Sequence, residues 1–227
     1  MSLTVNQVAR MMDISAVKTD TDLDTVRELA EYAKRFNCIC AYVLPCYMSE
    51  LKALLADAPD VLPGGAVGFP AGATTTAVKA AEARELVAAG AGELDMVMNV
   101  GMLRSGRFDY VEEDISTVVD AVEGTLLKVI IEAHYLDDDQ IKKASEICVR
   151  SGADFVKTGT GWSDTGATLH NISLIKSAVG DDIAVKASGG VRDLETLEEM
   201  HRRGATRFGV NVAAGAKILE QCRAREG

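Results

Sequence analysis

The sequence predicts one α/β domain over residues 1–227, folded as a closed (β/α)8 TIM barrel. Eight short apolar segments recur along the chain, and each is followed by a stretch of helical periodicity. Their starts lie about 23 to 34 residues apart, a spacing that suits right-handed parallel crossovers. Eight such units favour a closed barrel, and a doubly wound open sheet is the alternative. No Pro/Ser-rich linker divides the chain, so a single domain is expected.

The predicted strands are short apolar runs that end in turn-forming residues. They lie near 10–15, 38–44, 65–69, 93–98, 127–132, 154–158, 183–187 and 206–210. The stretches between them have apolar and charged faces, which is typical of helices that pack against a sheet. These predicted helices cover 22–36, 76–89, 110–122, 138–151, 169–179, 193–203 and 213–223. Several are followed by a glycine of the kind that ends helices, namely Gly90, Gly152, Gly180 and Gly204.

Composition and charge argue against two classes of partner. The formal net charge of −10 argues against nucleic acid, because phosphate backbones are bound by basic surfaces. No signal-peptide pattern or membrane-spanning apolar run is found, so a membrane partner is not expected. The five cysteines are an odd number and lack the paired spacing of zinc sites, which indicates a reducing compartment and no bound metal. We therefore expect a soluble cytoplasmic protein.

Charged residues recur at the ends of the predicted strands. Lys157 ends the sixth strand and is followed by a Thr/Gly-rich loop, and Lys186 lies in the seventh strand. Asp13 and Asp95 lie in the first and fourth strands, and Glu132 ends the fifth. A single carboxylate at such a position usually serves as a structural hydrogen-bond acceptor, and a single lysine usually extends its ammonium group to solvent. Together they predict one site, because strand ends converge at the mouth of a barrel.

Two lysines in one buried site favour carbonyl chemistry. Burial and a second cation both lower the pKa of a lysine, and a shift of Lys157 from ~10.4 toward ~7 corresponds to ~4–5 kcal/mol. A neutral Lys157 amine can attack an aldehyde or ketone, and the resulting iminium withdraws electrons from the adjacent carbon. Asp95 and Lys186 are the candidates for moving the protons.

The loop after the seventh strand and the end of the eighth strand predict a phosphate site. Glycine-rich loops expose backbone N–H groups, and the loops after strands seven and eight hold phosphate in many barrels of this type. The candidate substrate-binding residues are Asp13 together with Thr160, Gly161, Ser188, Gly189, Gly190, Gly209 and Asn211. The sequence therefore predicts a small phosphorylated carbonyl compound as the substrate.

Four stretches of the chain resemble the deoxyribose-phosphate aldolases, which are class I aldolases on a (β/α)8 barrel. These stretches are 67–76 (VGFPAGATTT), 93–101 (ELDMVMNVG), 153–158 (ADFVKT) and 185–192 (VKASGGVR). The resemblance implies that Lys157 forms the Schiff base while Asp95 and Lys186 donate and accept protons. It also implies reversible cleavage of 2-deoxy-D-ribose 5-phosphate to D-glyceraldehyde 3-phosphate and acetaldehyde, without a cofactor or metal.

Some positions depart from the pattern of that family. Tyr42 stands where a cysteine often faces the mouth, and the eighth strand ends Gly209-Val210-Asn211-Val212 instead of Gly-Ala-Ser-Ser. Tyr42 is therefore a further candidate for substrate contact, and Asn211 is expected to replace one hydrogen bond to phosphate. These changes keep two alternatives open: a related aldolase for another aldehyde or sugar, and a non-catalytic sugar-phosphate-binding barrel. The oligomeric state is also open, with a homodimer or a higher homo-oligomer as options.

Overall fold

The computed structural model describes residues 3–122 and 124–226 of the chain. Its parallel strands are β1 (Met12–Ala16), β2 (Cys40–Val43), β3 (Leu62–Val67), β4 (Glu93–Val97), β5 (Leu126–Ile130), β6 (Phe155–Lys157), β7 (Ala184–Ser188) and β8 (Ala205–Val210). Adjacent strands pair in chain order, and β8 pairs back to β1. The closed barrel is confirmed, and the doubly wound open sheet is wrong.

Helices alternate with these strands along the chain. The described residues form α1 (Val5–Ala9), α2 (Leu23–Phe36), α3 (Met48–Leu54), α4 (Thr76–Ala89), α5 (Val100–Arg104), α6 (Phe108–Ala121), α7 (Asp138–Arg150), α8 (Leu169–Val179), α9 (Leu194–Arg202) and α10 (Val212–Glu226). Each predicted helix is present, with its ends shifted by three residues or fewer. The sequence pattern does not predict α1, α3 or α5, because helices of five to seven residues are too short to show a period.

The position of the third strand differs from the prediction. β3 spans 62–67 instead of 65–69. Pro63 and Gly64 look like turn residues in the sequence, but both lie in the strand and pair with β2. Gly64 is required there, because a Cβ atom would lie only 2.7 Å from the ring of Tyr42. The strand ends before Gly68, whose φ of +64° departs from extended backbone.

Local capping explains where several helices begin and end. Asp22 accepts a hydrogen bond from the N–H of Thr25 at the start of α2. Asp137 and Gln140 form a reciprocal capping box at the start of α7. The four glycines predicted to end helices all have positive φ, namely Gly90, Gly152, Gly180 and Gly204.

The barrel strands are buried on both faces, but the two faces differ in chemistry. Leu94 and Val156 are fully buried in the apolar core. Their neighbours Asp95 and Lys157 are buried as well, and neighbours along a strand point to opposite faces. The apolar face therefore packs toward the surrounding helices, and the charged face points toward the barrel axis. Among the described residues, no helix is long and apolar enough to cross a membrane.

A buried ion pair joins α4 and α6 to the end of β4. The Nζ atom of Lys79 lies 2.6 Å from Oδ2 of Asp114 and donates to the carbonyl oxygen of Val97 at 2.9 Å. Thr76 donates to the other oxygen of Asp114 at 2.8 Å. The Lys79 and Asp114 side chains are fully buried. Burial lowers the pKa of Lys79, so its charge depends on the partner.

Removing the acidic partner should destabilise the fold. We expect Asp114→Ala to lower the free energy of unfolding by about 3–5 kcal/mol, because Lys79 is left buried without its counter-charge. Urea denaturation measures this change. Glu113→Ala, at an exposed position of the same helix, is the matched control and should change stability by less than about 0.5 kcal/mol. Equal effects of the two substitutions would contradict the prediction.

Candidate active site

Charged side chains from four strands meet inside the barrel. Asp13 lies in β1, Asp95 in β4, Lys157 at the end of β6, and Lys186 in β7. Lys157 and Lys186 are paired in register on adjacent strands. Lys157 is 7% exposed, and the other three residues are each 1% exposed. The structure therefore brings Asp13 together with Asp95, Lys157 and Lys186, the three residues that the sequence singles out for catalysis. Glu132 does not line the cavity next to them and instead accepts a hydrogen bond from the N–H of Thr160 at 3.2 Å.

One carboxylate oxygen of Asp95 accepts from both lysines. Its Oδ2 atom lies 2.8 Å from Nζ of Lys157 and 2.6 Å from Nζ of Lys186. Lys186 has a second partner, because its Nζ atom also lies 2.6 Å from Oδ2 of Asp13. Lys157 forms an ion pair with Asp95 alone among the described residues. Of the two amines, Lys157 thus has the weaker support for a positive charge.

A second layer of charges lies one step toward the N-terminal ends of the strands. Lys128 donates to Oε2 of Glu93 at 2.5 Å, and its Nζ atom lies 3.6 Å from Oδ1 of Asp95. Arg207 bridges two carboxylates, with Nη2 2.6 Å from Oε2 of Glu93 and Nε 2.9 Å from Oδ1 of Asp13. These contacts join the two layers into one buried network.

The charges of this network balance when Lys157 is neutral. Three carboxylates then face three cations, namely Asp13, Glu93 and Asp95 against Lys128, Lys186 and Arg207. A protonated Lys157 adds a fourth positive charge in a buried site. An unbalanced buried charge is costly, so the network favours the neutral amine.

The pKa values of the network agree with this balance. The pKa of Lys157 is lowered from 10.5 to about 8, mainly by burial and also by the charge of Lys186, against the opposing attraction of Asp95. Burial alone would raise the pKa of Asp95, but Lys157 and Lys186 hold it well below its usual range. The site therefore keeps Asp95 ionised at rest, next to an amine that loses its proton near pH 8.

Tyr42 connects the two layers of charge. Its ring centroid lies 4.2 Å from Nζ of Lys186, and its hydroxyl accepts a hydrogen bond from Lys128 at 2.6 Å. Burial raises the pKa of Tyr42 well above its ordinary value, so the phenol stays protonated. The aromatic face adds to the stabilisation of the charged form of Lys186.

A small cavity, about 350 Å³ of empty space when its opening to solvent is included, lies beside Lys157. Of the sequence-predicted site residues, it is lined by Asp13, Tyr42, Asp95, Lys157, Thr160, Lys186, Ser188 and Gly209. Gly209 leaves room beside Ser188, because a Cβ atom there would lie 2.5 Å from the Ser188 hydroxyl oxygen. The Lys157 side chain therefore lines a small cavity that opens to solvent.

The remaining predicted residues, Gly161, Gly189, Gly190 and Asn211, do not line this cavity. The loops of Gly161 and Gly189 touch, because a Cβ atom at Gly189 would lie 3.4 Å from the nitrogen of Gly161. Asn211 uses its side-chain oxygen to accept from the N–H of Ala214 at the start of α10. Its Oδ1 atom is thus engaged with the helix.

Sequence reasoning does not single out several residues of the site. Ser15, Val17, Ala66 and Phe69 also line the cavity, and Glu93, Lys128 and Arg207 form the lower charge layer. A period of two would have indicated some of them, because Glu93 precedes Asp95 by two residues and Arg207 precedes Gly209 by two. Residues two apart on a strand face the same side.

Asp13, Cys40 and Glu93 lie close enough together to suggest a metal site, with their ligand atoms within 4.8 Å of one another. However, Arg207 bonds both carboxylates, and Lys128 bonds Glu93. A metal ion would have to compete with these buried cations. Burial also raises the pKa of the Cys40 thiol well above its ordinary value, and the protonated thiol is a poor ligand. The donor set does not fit a metal.

Comparisons with known proteins point to one family. A sequence model of the DeoC/LacD family aldolases matches residues 7–220. The chain is 45% identical to the deoxyribose-phosphate aldolase of Sinorhizobium medicae, covering 100% of this chain and 91% of the relative. It is 44% identical to the deoxyribose-phosphate aldolase of Klebsiella pneumoniae, covering 97% and 90%. Among solved structures, the tetrameric deoxyribose phosphate aldolase of Aeropyrum pernix is similar, with a TM-score of 0.89, 28% identity and coverage of 98% and 93%.

Replacing the second lysine should change the titration of the first. We expect Lys186→Leu to raise the pKa of Lys157 above about 8, because a like charge is lost and Asp95 is left to Lys157. The pH dependence of reductive ethylation at Lys157, followed by peptide mass, measures this shift. Lys186→Arg keeps the charge and should leave the midpoint close to that of the unaltered protein. The same midpoint in Lys186→Leu would contradict the electrostatic explanation.

Proposed function

Because the chain belongs to the DeoC/LacD family of aldolases, we propose that Lys157 is the Schiff-base lysine in its reversible cleavage of 2-deoxy-D-ribose 5-phosphate. The products are D-glyceraldehyde 3-phosphate and acetaldehyde, and the enzyme is a lyase. The observation that carries the assignment of Lys157 is the buried network in which the charges balance only when this amine is neutral. A neutral amine at the floor of a small cavity is what imine formation requires.

The reaction begins with the open-chain aldehyde of the sugar. The Lys157 amine adds to C1, and loss of water gives a protonated imine. A base takes the proton of the C3 hydroxyl, the bond between C2 and C3 breaks, and its electron pair moves into an enamine. D-Glyceraldehyde 3-phosphate leaves at this stage. Protonation of the enamine at C2 and hydrolysis of the imine then release acetaldehyde and restore the Lys157 amine.

Asp95 and Lys186 are placed to serve the proton transfers. Asp95 Oδ2 lies within 2.8 Å of Nζ of Lys157 and within 2.6 Å of Nζ of Lys186. Protons can therefore pass between the two amines through one carboxylate, which supports roles for both residues in forming and hydrolysing the imine. Tyr42 and Asp13 hold the position of Lys186 in this proposal, since each contacts its ammonium.

The phosphate group extends toward the glycine loops in this proposal. Thr160, Ser188 and Gly209 line the cavity, and they place the substrate chain between Lys157 and the loops of Gly161 and Gly189. The N–H groups of Gly161, Gly189 and Gly190 donate to no protein acceptor among residues 3–122 and 124–226. Such groups are suited to phosphate oxygens.

The two alternative functions have weaker support. A barrel that only binds sugar phosphates has no need for two buried lysines at the floor of its cavity, and such lysines are costly. A preference for another aldehyde would rest on Val210, Asn211 and Val212 at the end of the eighth strand. The relatives named above, at 44 and 45% identity over nearly the whole chain, favour deoxyribose 5-phosphate.

Compartment and assembly belong to the same proposal. All five cysteines are free thiols, and Cys46 is exposed, which supports a reducing compartment such as the cytoplasm. A homo-oligomer is supported by the structural similarity to the aldolase of Aeropyrum pernix, which is a tetramer.

Trapping the imine tests the proposed role of Lys157. Incubation with acetaldehyde and borohydride should leave an ethyl group on Lys157, detected by intact mass and peptide mapping. Lys157→Ala should form no such adduct and should lose at least about 10⁴-fold in turnover of deoxyribose 5-phosphate while keeping its circular dichroism spectrum. Lys142→Ala, on the outer helix α7, is the control and should retain both the adduct and turnover. Turnover of Lys157→Ala near that of the unaltered protein would contradict the proposed mechanism.

A further inference from the structure

The floor of the cavity offers no spare positive charge to a phosphorylated substrate. Lys128, Lys186 and Arg207 each bond buried carboxylates, and Lys157 has to be neutral to react. A phosphate monoester carries about −1.5 to −2 charges at pH 7. A cation that binds this group therefore has to come from the rim of the cavity, that is, from the loops that follow the strands. The end of the eighth strand does not supply one, because it reads Val210-Asn211-Val212.

Lys18 is a rim cation that reaches the glycine loops. It follows β1 and is exposed, and its neighbour Val17 lines the cavity. Its Nζ atom donates to the carbonyl oxygen of Gly161 at 2.9 Å, which is its one hydrogen bond from that atom in the described part of the chain. A lysine ammonium has three N–H donors, so two remain for another acceptor.

Aromatic contacts hold Lys18 in this place. Its Nζ atom lies 5.2 Å from the ring centroid of Trp162, within the range of a cation–π interaction. The Trp162 ring is fixed on two sides: its Nε1 atom donates to the carbonyl oxygen of Val17 at 3.0 Å, and it meets Phe69 edge-on at 6.0 Å. The loop after β1 is thus tied to the loop after β6.

Lys18 lies at the far end of the loop that begins at Lys157. Lys157 and Gly161 are the two ends of one short loop, and Thr160 between them lines the cavity. The reacting C1 carbonyl of the sugar is at Lys157, and the phosphate is at the other end of the five-carbon chain. In the proposed reaction the phosphoryl group therefore extends toward the backbone of Gly161, which lies next to that of Gly189 and holds the ammonium of Lys18.

We propose that Lys18 binds the phosphoryl group of the substrate and makes the enzyme prefer phosphorylated over unphosphorylated sugars. The proposal rests on the aldolase function given above and adds a specificity-determining residue to it. Lys18 supplies the charge at the rim, and the N–H groups of Gly161 and Gly189 supply directed hydrogen bonds. It also offsets the missing side-chain hydroxyls at the end of the eighth strand.

The test compares deoxyribose 5-phosphate with deoxyribose. Lys18→Gln should lower the ratio of kcat/KM for the phosphorylated over the unphosphorylated sugar by about 10- to 100-fold, mainly through KM, because a charge-assisted contact is lost. Lys18→Arg keeps the charge and should restore most of the ratio. Lys142→Gln, on α7, is the matched control and should leave the ratio as it is. A ratio in Lys18→Gln equal to that of the unaltered protein would show that Lys18 only holds the loops together.

Direct binding separates this proposal from the aldolase function. Titration calorimetry with inorganic phosphate should show binding that is about 10- to 100-fold weaker in Lys18→Gln, and this holds whether or not the protein turns over. Equal affinities in the two proteins would overturn the role of Lys18. The acetaldehyde adduct at Lys157 involves no phosphate and reports on the aldolase function alone. A negative result in the phosphate titration therefore does not affect the test of Lys157, and a missing adduct does not affect the test of Lys18.

Discussion

The buried charge network of this protein depends on one shared hydrogen-bond acceptor, the Oδ2 atom of Asp95. It lies within 2.8 Å of Lys157 and 2.6 Å of Lys186, so it holds two amines together that would otherwise repel. Asp95 in turn stays ionised because these amines surround it. The position of each group follows from strand register, since Lys157 and Lys186 are direct neighbours across β6 and β7.

The lower layer of charges supports this arrangement. Lys128 and Arg207 both donate hydrogen bonds to Glu93. Arg207 also donates to Asp13, so this carboxylate of the upper layer is bonded to the lower layer. Breaking a buried ion pair leaves the partner uncompensated, which makes such networks rigid. The same balance leaves Lys157 as the amine that loses its proton most readily. The cohesion of the network and the lowered pKa of Lys157 therefore have one electrostatic origin.

The floor and the rim of the barrel mouth are built from different kinds of structure. The floor residues are buried and paired with one another, as their ion pairs show. The rim is built from loops, where Lys18 and Trp162 join the segments that follow β1 and β6. Loops are freer to vary than strands, so the residues of the rim can change while the paired charges of the floor stay in place.

The sequence by itself determined the barrel, because eight βα units at regular spacing have few other solutions, and the four stretches around Lys157, Asp95 and Lys186 indicated aldolase chemistry. It did not reveal the short helices or the true start of β3, since a period needs length and Pro63 looks like a turn residue. Only the tertiary structure decided which charges pair. Glu93, Lys128 and Arg207 are far apart along the chain, and barrel closure brings β8 beside β1 so that Arg207 meets Asp13. Contacts that depend on barrel closure and strand register leave no local pattern in the sequence. The protonation state of Lys157 is set by such contacts together.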